Sequence, residues 1–143
     1  MPGSYFIKAL ALWNDYSNRA RRAEFWGYTI VAWLLEVFAI TLTAIMLNDA
    51  IDSEDMTFDS AAVSPVGWGV LYATLALGIA LFFPWLAVTV RRMHDLGRSG
   101  WWALFLFIPG LVIVVWILAL VDGQPMVNKY GADPKGRDVT KDY

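Results

Sequence analysis

The sequence contains no cysteine and only one histidine, and few of its residues are charged. The lack of cysteine excludes disulfides, thiolate metal sites and cysteine nucleophiles, and a single histidine excludes a metal site built from several histidines. Charged residues make up 17% of the 143 residues and hydrophobic residues 58%, whereas a soluble domain has about 25% charged and about 45–50% apolar residues. The composition therefore excludes a disordered chain and favours an integral membrane protein.

Three long apolar runs account for the hydrophobic excess. A membrane-spanning helix needs about 20 apolar residues, because the hydrocarbon core is about 30 Å thick. Residues 25–47, 66–90 and 101–121 meet this length, and the one charged residue among them is Glu36. These runs are apolar on all sides, whereas a helix of a soluble core shows a single apolar stripe. We therefore predict an all-α membrane protein with three transmembrane helices.

Basic residues are missing from one of the two loops between the runs. Residues 48–65 carry five acids and no lysine or arginine, whereas residues 1–24 carry four basic residues and residues 91–100 carry three. Basic residues favour the cytoplasmic side of a membrane. We therefore predict that the N-terminus and the second loop are cytoplasmic and that the acidic loop is outside.

The segment after the third run fits this arrangement less well. Three spans place it outside, yet residues 122–143 carry four basic residues. One alternative is that residues 101–121 re-enter at Pro109-Gly110 and return to the cytoplasm. Each arm would then have only about ten residues, and re-entrant backbone needs protein cover. We therefore predict one span that is kinked at Pro109-Gly110, where proline removes a backbone donor.

Two shorter segments flank the spans. Residues 4–16 are predicted to form an amphipathic helix at the membrane interface, with Ser4 as its N-cap; a plain extension of the helix bundle is the alternative. Residues 122–134 are rich in turn formers, which predicts an ordered loop. We assign residues 1–134 to a single membrane domain and residues 135–143 to a flexible tail.

Arginine, aromatic and acidic residues concentrate at both ends of the predicted cytoplasmic face. Residues 19–26 and 91–102 together contain six arginines and no lysine. A guanidinium holds a phosphate or a carboxylate in two-point contact, whereas a charge that only anchors the chain accepts lysine equally well. The predicted lipid- or partner-binding residues are Arg19, Arg21, Arg22, Glu24, Trp26, Arg91, Arg92, His94, Asp95, Arg98, Ser99, Trp101 and Trp102.

Two hypotheses remain open for these residues. In the first, Ser99 caps a helix that begins at Gly100 or Trp101, and the N-terminus of that helix, beside Arg98, binds a lipid phosphate. In the second, the two motifs form a structural clamp, and both hypotheses can hold at once.

The lipid hypothesis gives the residues of the two motifs separate roles. Glu24 and Asp95 would orient the arginine side chains, and His94 would tune the site near neutral pH. The phosphate contacts would come from four arginines, Arg21, Arg22, Arg92 and Arg98.

Two further functional classes rest on single residues. Glu36 lies near the centre of the first span, where a charge costs about 2.5–3.5 kcal/mol on insertion scales. An oligomeric transporter or channel that uses Glu36 is therefore the second class. A lipid-modifying enzyme with His94 as its base is the third, although adjacent residues such as His94 and Asp95 do not face each other on a helix.

Three motifs make the sequence resemble a known bacterial family. They are RARRAEFW at residues 19–26, RRMHDLGRSGWW at residues 91–102 and NKYGADP at residues 128–134. With them the chain resembles the YhaH-like family of inner-membrane proteins, a domain-of-unknown-function family, over residues 5–134. The chain departs from that family at Asn18 and Met126, where glycine is common. The resemblance implies a multi-span inner-membrane protein and no particular activity.

The leading prediction is a non-enzymatic protein of the bacterial inner membrane. Its cytoplasmic cluster would bind anionic lipid headgroups or a membrane partner, and a second copy of the chain is a further candidate partner. No cofactor, metal or nucleic acid is expected.

Overall fold

The computed structural model describes residues 2–51 and 57–137, and this part of the chain is helical. Four α-helices cover Pro2–Ala11 (α1), Arg22–Leu47 (α2), Pro65–Asp95 (α3) and Val112–Leu120 (α4). Two 3-10 helices cover Asn48–Ala50 and Gly100–Phe107. Within the described ranges there is no β-strand, only the isolated bridges Ile51–Phe58 and Asn128–Gly131. The predicted all-α class is confirmed.

Helices α2 and α3 are long and apolar enough to cross a membrane, by length and composition. They contain 26 and 31 residues, and only 11% and 22% of their most apolar stretches are buried. A core helix of a soluble protein would bury most of that surface. Large apolar side chains are instead exposed on both helices, such as Trp33 and Phe38 on α2 and Ile79 on α3.

The third predicted span is not one helix. The chain forms the 3-10 helix Gly100–Phe107, turns at Gly110, whose φ is +85°, and continues as α4. Glycine adopts a positive φ readily. The chain reverses its direction at this turn, where the sequence predicted only a kink. Helix α4 packs against the 3-10 helix, and the two form a helical hairpin. The structure thus has a hairpin in place of the single kinked helix that the sequence predicted.

Both ends of this hairpin return to the same end of α3. Gly100, where the hairpin begins, lies against Val90 and His94. Val121, where it ends, accepts a hydrogen bond from Arg92. Phe82 of α3 contacts Phe107 with ring centroids 6.1 Å apart. The protein cover that the sequence did not reveal therefore comes from the second half of α3.

The chain divides into two compact units. The first comprises Met1–Ile30 and Phe82–Tyr143, and the second comprises Val31–Leu81. Helices α2 and α3 each contribute to both. The first unit contains the hairpin and the predicted site residues except Glu36.

In the first unit, α1 is shorter than predicted and shifted towards the N-terminus. It begins at Pro2 and ends at Ala11, so Ser4 lies in its first turn and is not its N-cap. Phe6 stacks on Tyr28 of α2 with centroids 5.2 Å apart, while Ile7 is exposed. The location of α1 at a membrane surface remains a prediction.

The second unit pairs parts of α2 and α3 in antiparallel directions. The Oγ1 atoms of Thr43 and Thr74 are 2.8 Å apart, and Glu36 lies opposite Gly78, where an added Cβ would be 3.3 Å from Oε1 of Glu36. Small and hydroxyl-bearing residues let membrane helices approach closely. Glu36 therefore contacts α3 of its own chain. In the loop of this unit, Asp52, Glu54 and Asp55 lie outside the described residues.

Candidate functional site

Five buried charged residues form an ionic cluster where the N-terminal segment, α2 and α3 meet. Arg19 precedes α2, Glu24 lies in the first turn of α2, and Arg91, Arg92 and Asp95 lie in the last two turns of α3. Each is at most 6% exposed. Buried charges need partners, because transferring an unpaired ion out of water costs several kcal/mol.

Asp95 is the acidic partner of two arginines. Its Oδ1 accepts a hydrogen bond from Nε of Arg19 at 3.0 Å, and Nη2 of Arg19 lies 2.9 Å away. Its Oδ2 accepts from Nη1 of Arg92, three residues earlier on α3. One carboxylate therefore joins the segment before α2 to the end of α3.

Glu24 is the acidic partner of Arg91 and Lys8. Nη1 of Arg91 lies 2.8 Å from Oε1 of Glu24, and Nζ of Lys8 lies 2.6 Å from Oε2. Nε and Nη2 of Arg91 are buried and have no hydrogen-bond partner. Because a guanidinium has five N–H donors, Arg91 keeps donor capacity that the described part of the chain does not use.

The segment after α4 is held on this cluster by backbone contacts. Arg19 donates to the carbonyl oxygens of Gln124 at 2.5 Å, Met126 at 2.7 Å and Gly131 at 3.2 Å. The backbone N–H of Gln124 donates to the carbonyl of Asp95 at 2.9 Å. Nδ2 of Asn128 donates to the carbonyl of His94 at 3.0 Å. The predicted ordered loop is present, and it belongs to the same site as the arginines.

A second, outer group of ion pairs lies along this segment. Asp122 contacts Arg22, Lys135 and Arg137, and Asp133 contacts Arg137 at 2.9 Å. The hydrogen bond from Arg137 lowers the pKa of Asp133 to about 2, and the hydrogen bond from Lys135 lowers the pKa of Asp122. Arg22 and Asp122 are 44% and 46% exposed, and exposed pairs contribute little stability. The part of the predicted flexible tail at residues 138–143 lies outside the described residues.

Arg21 also binds the chain after α4, since its Nη2 donates to the carbonyl oxygen of Pro134. Three of the four arginines expected to hold phosphate therefore have partners within the protein. Arg92 is buried between Asp95 and the carbonyl of Val121, and its contact with phosphate stays a prediction. Arg98 is the fourth of these arginines, and its position is different.

Arg98 and Trp101 are exposed just after α3, and Trp102 is half-buried beside them. The guanidinium of Arg98 lies over the ring of Trp102, 4.4 Å from its centroid, which is a cation–π contact. Trp101 is 76% exposed. Oγ of Ser99 accepts a hydrogen bond from the backbone N–H of Trp101 at 3.4 Å. The predicted helix N-cap at Ser99 is therefore confirmed. Trp26 lies elsewhere, against Phe25.

His94 does not pair with Asp95. Its ring stacks on Tyr130 with centroids 3.6 Å apart, and its Nδ1 lies 3.3 Å from the carbonyl oxygen of Asn18. A carbonyl oxygen only accepts hydrogen bonds, so Nδ1 is the donor. The acid–base arrangement of the enzyme hypothesis is not formed, because the carboxylate of Asp95 is engaged by arginines.

Tyr130 lines two of the cavities in this unit. The basic cavity has a volume of about 350 Å³ and is lined by Lys8, Leu12, Asp15, Asn18, Arg19, Arg91, Tyr130, Gly131 and Ala132. The apolar cavity has a volume of about 550 Å³ and is lined by Tyr16, Leu86, Val90, His94, Ser99, Gly100, Trp101, Ala103, Leu104 and Tyr130. Sequence reasoning missed Lys8, Tyr16 and the tail residues as neighbours of the site. The NKYGADP motif was the available signal for the tail.

Comparison with known proteins gives a family and no activity. Residues 13–132 match the family described as "Protein of unknown function (DUF805)". Inner membrane protein YhaH of Escherichia coli (strain K12) is 34% identical over 135 residues, which cover 92% of this chain and 96% of YhaH. Inner membrane protein YhaI of the same strain is 29% identical over 135 residues, covering 92% of this chain and 95% of YhaI.

A shorter match is the uncharacterized protein YiiR of the same strain, which is 50% identical over 40 residues, or 28% of this chain and 23% of YiiR. No solved structure matches the chain. The family match covers most of the chain and includes the ionic cluster and the hairpin. The chain therefore belongs to the DUF805 family.

Proposed function

We propose that this chain is a protein of the bacterial inner membrane that binds anionic lipid headgroups at its cytoplasmic face. Its relatives YhaH and YhaI are named inner membrane proteins, and α2 and α3 have the length and composition of membrane spans. The proposed topology has two spans and a re-entrant hairpin, with the N-terminus and the segment after α4 in the cytoplasm.

The distribution of charge supports this topology. Every lysine and arginine in the described part of the chain lies in residues 2–30 or 82–137, ten in all, together with five carboxylates. The described residues of Val31–Leu81 carry acids and no basic residue. Because basic residues favour the cytoplasmic side, the first unit is assigned there. The basic segment after α4 no longer conflicts with this rule, because it returns to the same side.

The apolar cavity and Arg98 carry the binding proposal. The walls of the cavity include Leu86, Val90 and Leu104, which suit an acyl chain, while His94 and Ser99 supply polar atoms. Arg98 directly precedes Ser99 of this cavity in the sequence and is exposed, so its guanidinium remains able to hold a phosphate. Of the four arginines that the sequence predicted to contact phosphate, Arg98 is the main phosphate ligand in this proposal.

Native mass spectrometry of the gently solubilised protein tests this proposal. The wild type is compared with Arg98→Gln and with Lys135→Gln, a matched loss of one positive charge in the outer ion pairs. We expect the wild type and Lys135→Gln to retain phosphatidylglycerol or cardiolipin, and Arg98→Gln to lose it. Equal retention of anionic lipid by Arg98→Gln, or retention of zwitterionic lipid alone by the wild type, would contradict the proposal.

The two other functional classes gain no support from the geometry. The carboxyl group of Glu36 lies against Gly78 in the second unit, which is a contact within one chain. His94 stacks on Tyr130 without a carboxylate partner. A transport role for Glu36 and a catalytic role for His94 therefore remain predictions from the sequence alone.

A further inference from the structure

The basic cavity has the charge of an anion site. Three of its lining residues are cations, Lys8, Arg19 and Arg91, and one is a carboxylate, Asp15. The carboxylate of Asp15 already accepts hydrogen bonds from Ser17 and Asn18. The lining itself therefore carries more cations than carboxylates, and Glu24 and Asp95, the ion-pair partners of these cations, lie outside it.

The three cations differ in how fully the protein uses them. Arg19 is saturated, since it binds Asp95 and three backbone carbonyl groups. Arg91 has a side chain that is only 1% exposed, and its one ion pair is made through Nη1 with Glu24. Its Nε and Nη2 are buried without a hydrogen-bond partner. Buried donors without partners are rare in folded proteins, so Arg91 calls for an acceptor that residues 2–51 and 57–137 do not supply.

Lys8 provides the accessible second cation of this site. Its side chain is 49% exposed, and its Nζ lies 2.6 Å from Oε2 of Glu24. Glu24 therefore contacts both Lys8 and Arg91, and it orients two cations that line one cavity. A tetrahedral oxyanion offers several acceptor oxygens, which suits a guanidinium edge together with an ammonium group.

We propose that the basic cavity binds a phosphate group, with Arg91 and Lys8 as its ligands. The phosphate is either free or part of a lipid headgroup. This site is distinct from the apolar cavity and Arg98, and it does not depend on the function proposed for them. Glu24 acts as a positioning residue, because it holds both cations and does not contact the anion.

The first test uses inorganic phosphate and the full-length protein in detergent. Phosphate binding is measured by isothermal titration at constant ionic strength for the wild type, Lys8→Gln, Arg91→Lys and the control Lys135→Gln. Circular dichroism establishes that each variant is folded. We expect saturable binding by the wild type and Lys135→Gln, and binding about tenfold weaker in Lys8→Gln, since one charge-assisted hydrogen bond is lost. Lys8→Gln remains informative if Arg91→Lys does not fold.

The second test identifies a lipid as the source of the phosphate. Native mass spectra are recorded after addition of phosphatidylglycerol, and the lipids retained by each variant are counted. If the ligand is a headgroup, free phosphate shows no saturable binding, and Lys8→Gln loses a lipid that Lys135→Gln retains. If Lys8→Gln matches the wild type with both probes, the proposal is overturned. Failure of the apolar site shows separately, as an equal number of retained lipids in Arg98→Gln and in the wild type.

Discussion

Replacing Asp95 by asparagine removes the negative charge at the centre of the ionic cluster and keeps the shape of the side chain. In the wild type this carboxylate lies between Arg19 and Arg92, and each of the three residues is at most 6% exposed. Asparagine leaves two buried guanidinium groups without their counter-ion. The same two arginines hold the chain after α4 through the carbonyls of Val121 and Gln124. The substitution therefore acts on the cluster and on that segment together.

The expected cost follows from the burial of these groups. Removing one partner of a buried ion pair destabilises a protein by about 3–5 kcal/mol. Arg19 and Arg92 retain their bonds to backbone carbonyls, so we expect the lower end, about 3 kcal/mol. A free-energy change of about 3 kcal/mol corresponds to a more than hundredfold change in the equilibrium constant.

Limited trypsin digestion measures this effect. Lys129 lies in the held segment, and cleavage there follows the population of the opened segment when opening is fast. We expect Asp95→Asn to be cleaved at Lys129 about a hundredfold faster than the wild type. The control is Asp122→Asn, which removes an exposed carboxylate from the outer ion pairs and should change the rate little. Equal cleavage rates for Asp95→Asn and the wild type would refute the structural role of the cluster.

Two further predictions concern the segment after α4. An added Cβ at Gly123 would lie 1.9 Å from Oδ2 of Asp95, whereas one at Gly69 would meet nothing within 4 Å. We therefore expect Gly123→Ala to lower the free energy of unfolding by about 1–3 kcal/mol and Gly69→Ala not to lower it. Thermal unfolding in detergent measures both variants. The pKa of Asp133 is lowered to about 2 by Arg137, so its stabilising contribution is complete above pH 4 and is lost as the pH falls from about 4 to about 2. The difference in unfolding free energy between the wild type and Asp133→Asn should therefore shrink across that pH range, and a constant difference would contradict the assignment.

The sequence was sufficient for the fold class and for the two long helices. Residues 25–47 and 66–90 lie within α2 and α3, because long uniformly apolar runs permit few structures other than a membrane helix. Partnership between the arginines and the two acids, Glu24 and Asp95, was also predictable, since buried charges need counter-ions.

The hairpin could not be predicted in the same way. An apolar run of 21 residues has the same composition whether it crosses a membrane or turns back. The difference lies in the positive φ of Gly110 and in the cover provided by α3. The contacts of the segment after α4 could not be predicted from the sequence either. Arg19 and Arg92 bind backbone carbonyls of that segment, and every residue has a backbone carbonyl. Neither feature leaves a distinctive pattern of side chains.

The side of the membrane on which the segment after α4 lies tests the proposed topology most directly. The chain has no cysteine, so each introduced cysteine is a unique label. Val127→Cys is compared with Asn14→Cys, on the proposed cytoplasmic side, and Ser60→Cys, in the acidic loop, using a membrane-impermeant maleimide on intact inner membranes. The re-entrant hairpin predicts that Val127→Cys is protected like Asn14→Cys and that Ser60→Cys is labelled from the periplasmic side. Labelling of Val127→Cys together with Ser60→Cys would show a third span and contradict the shared cytoplasmic cluster.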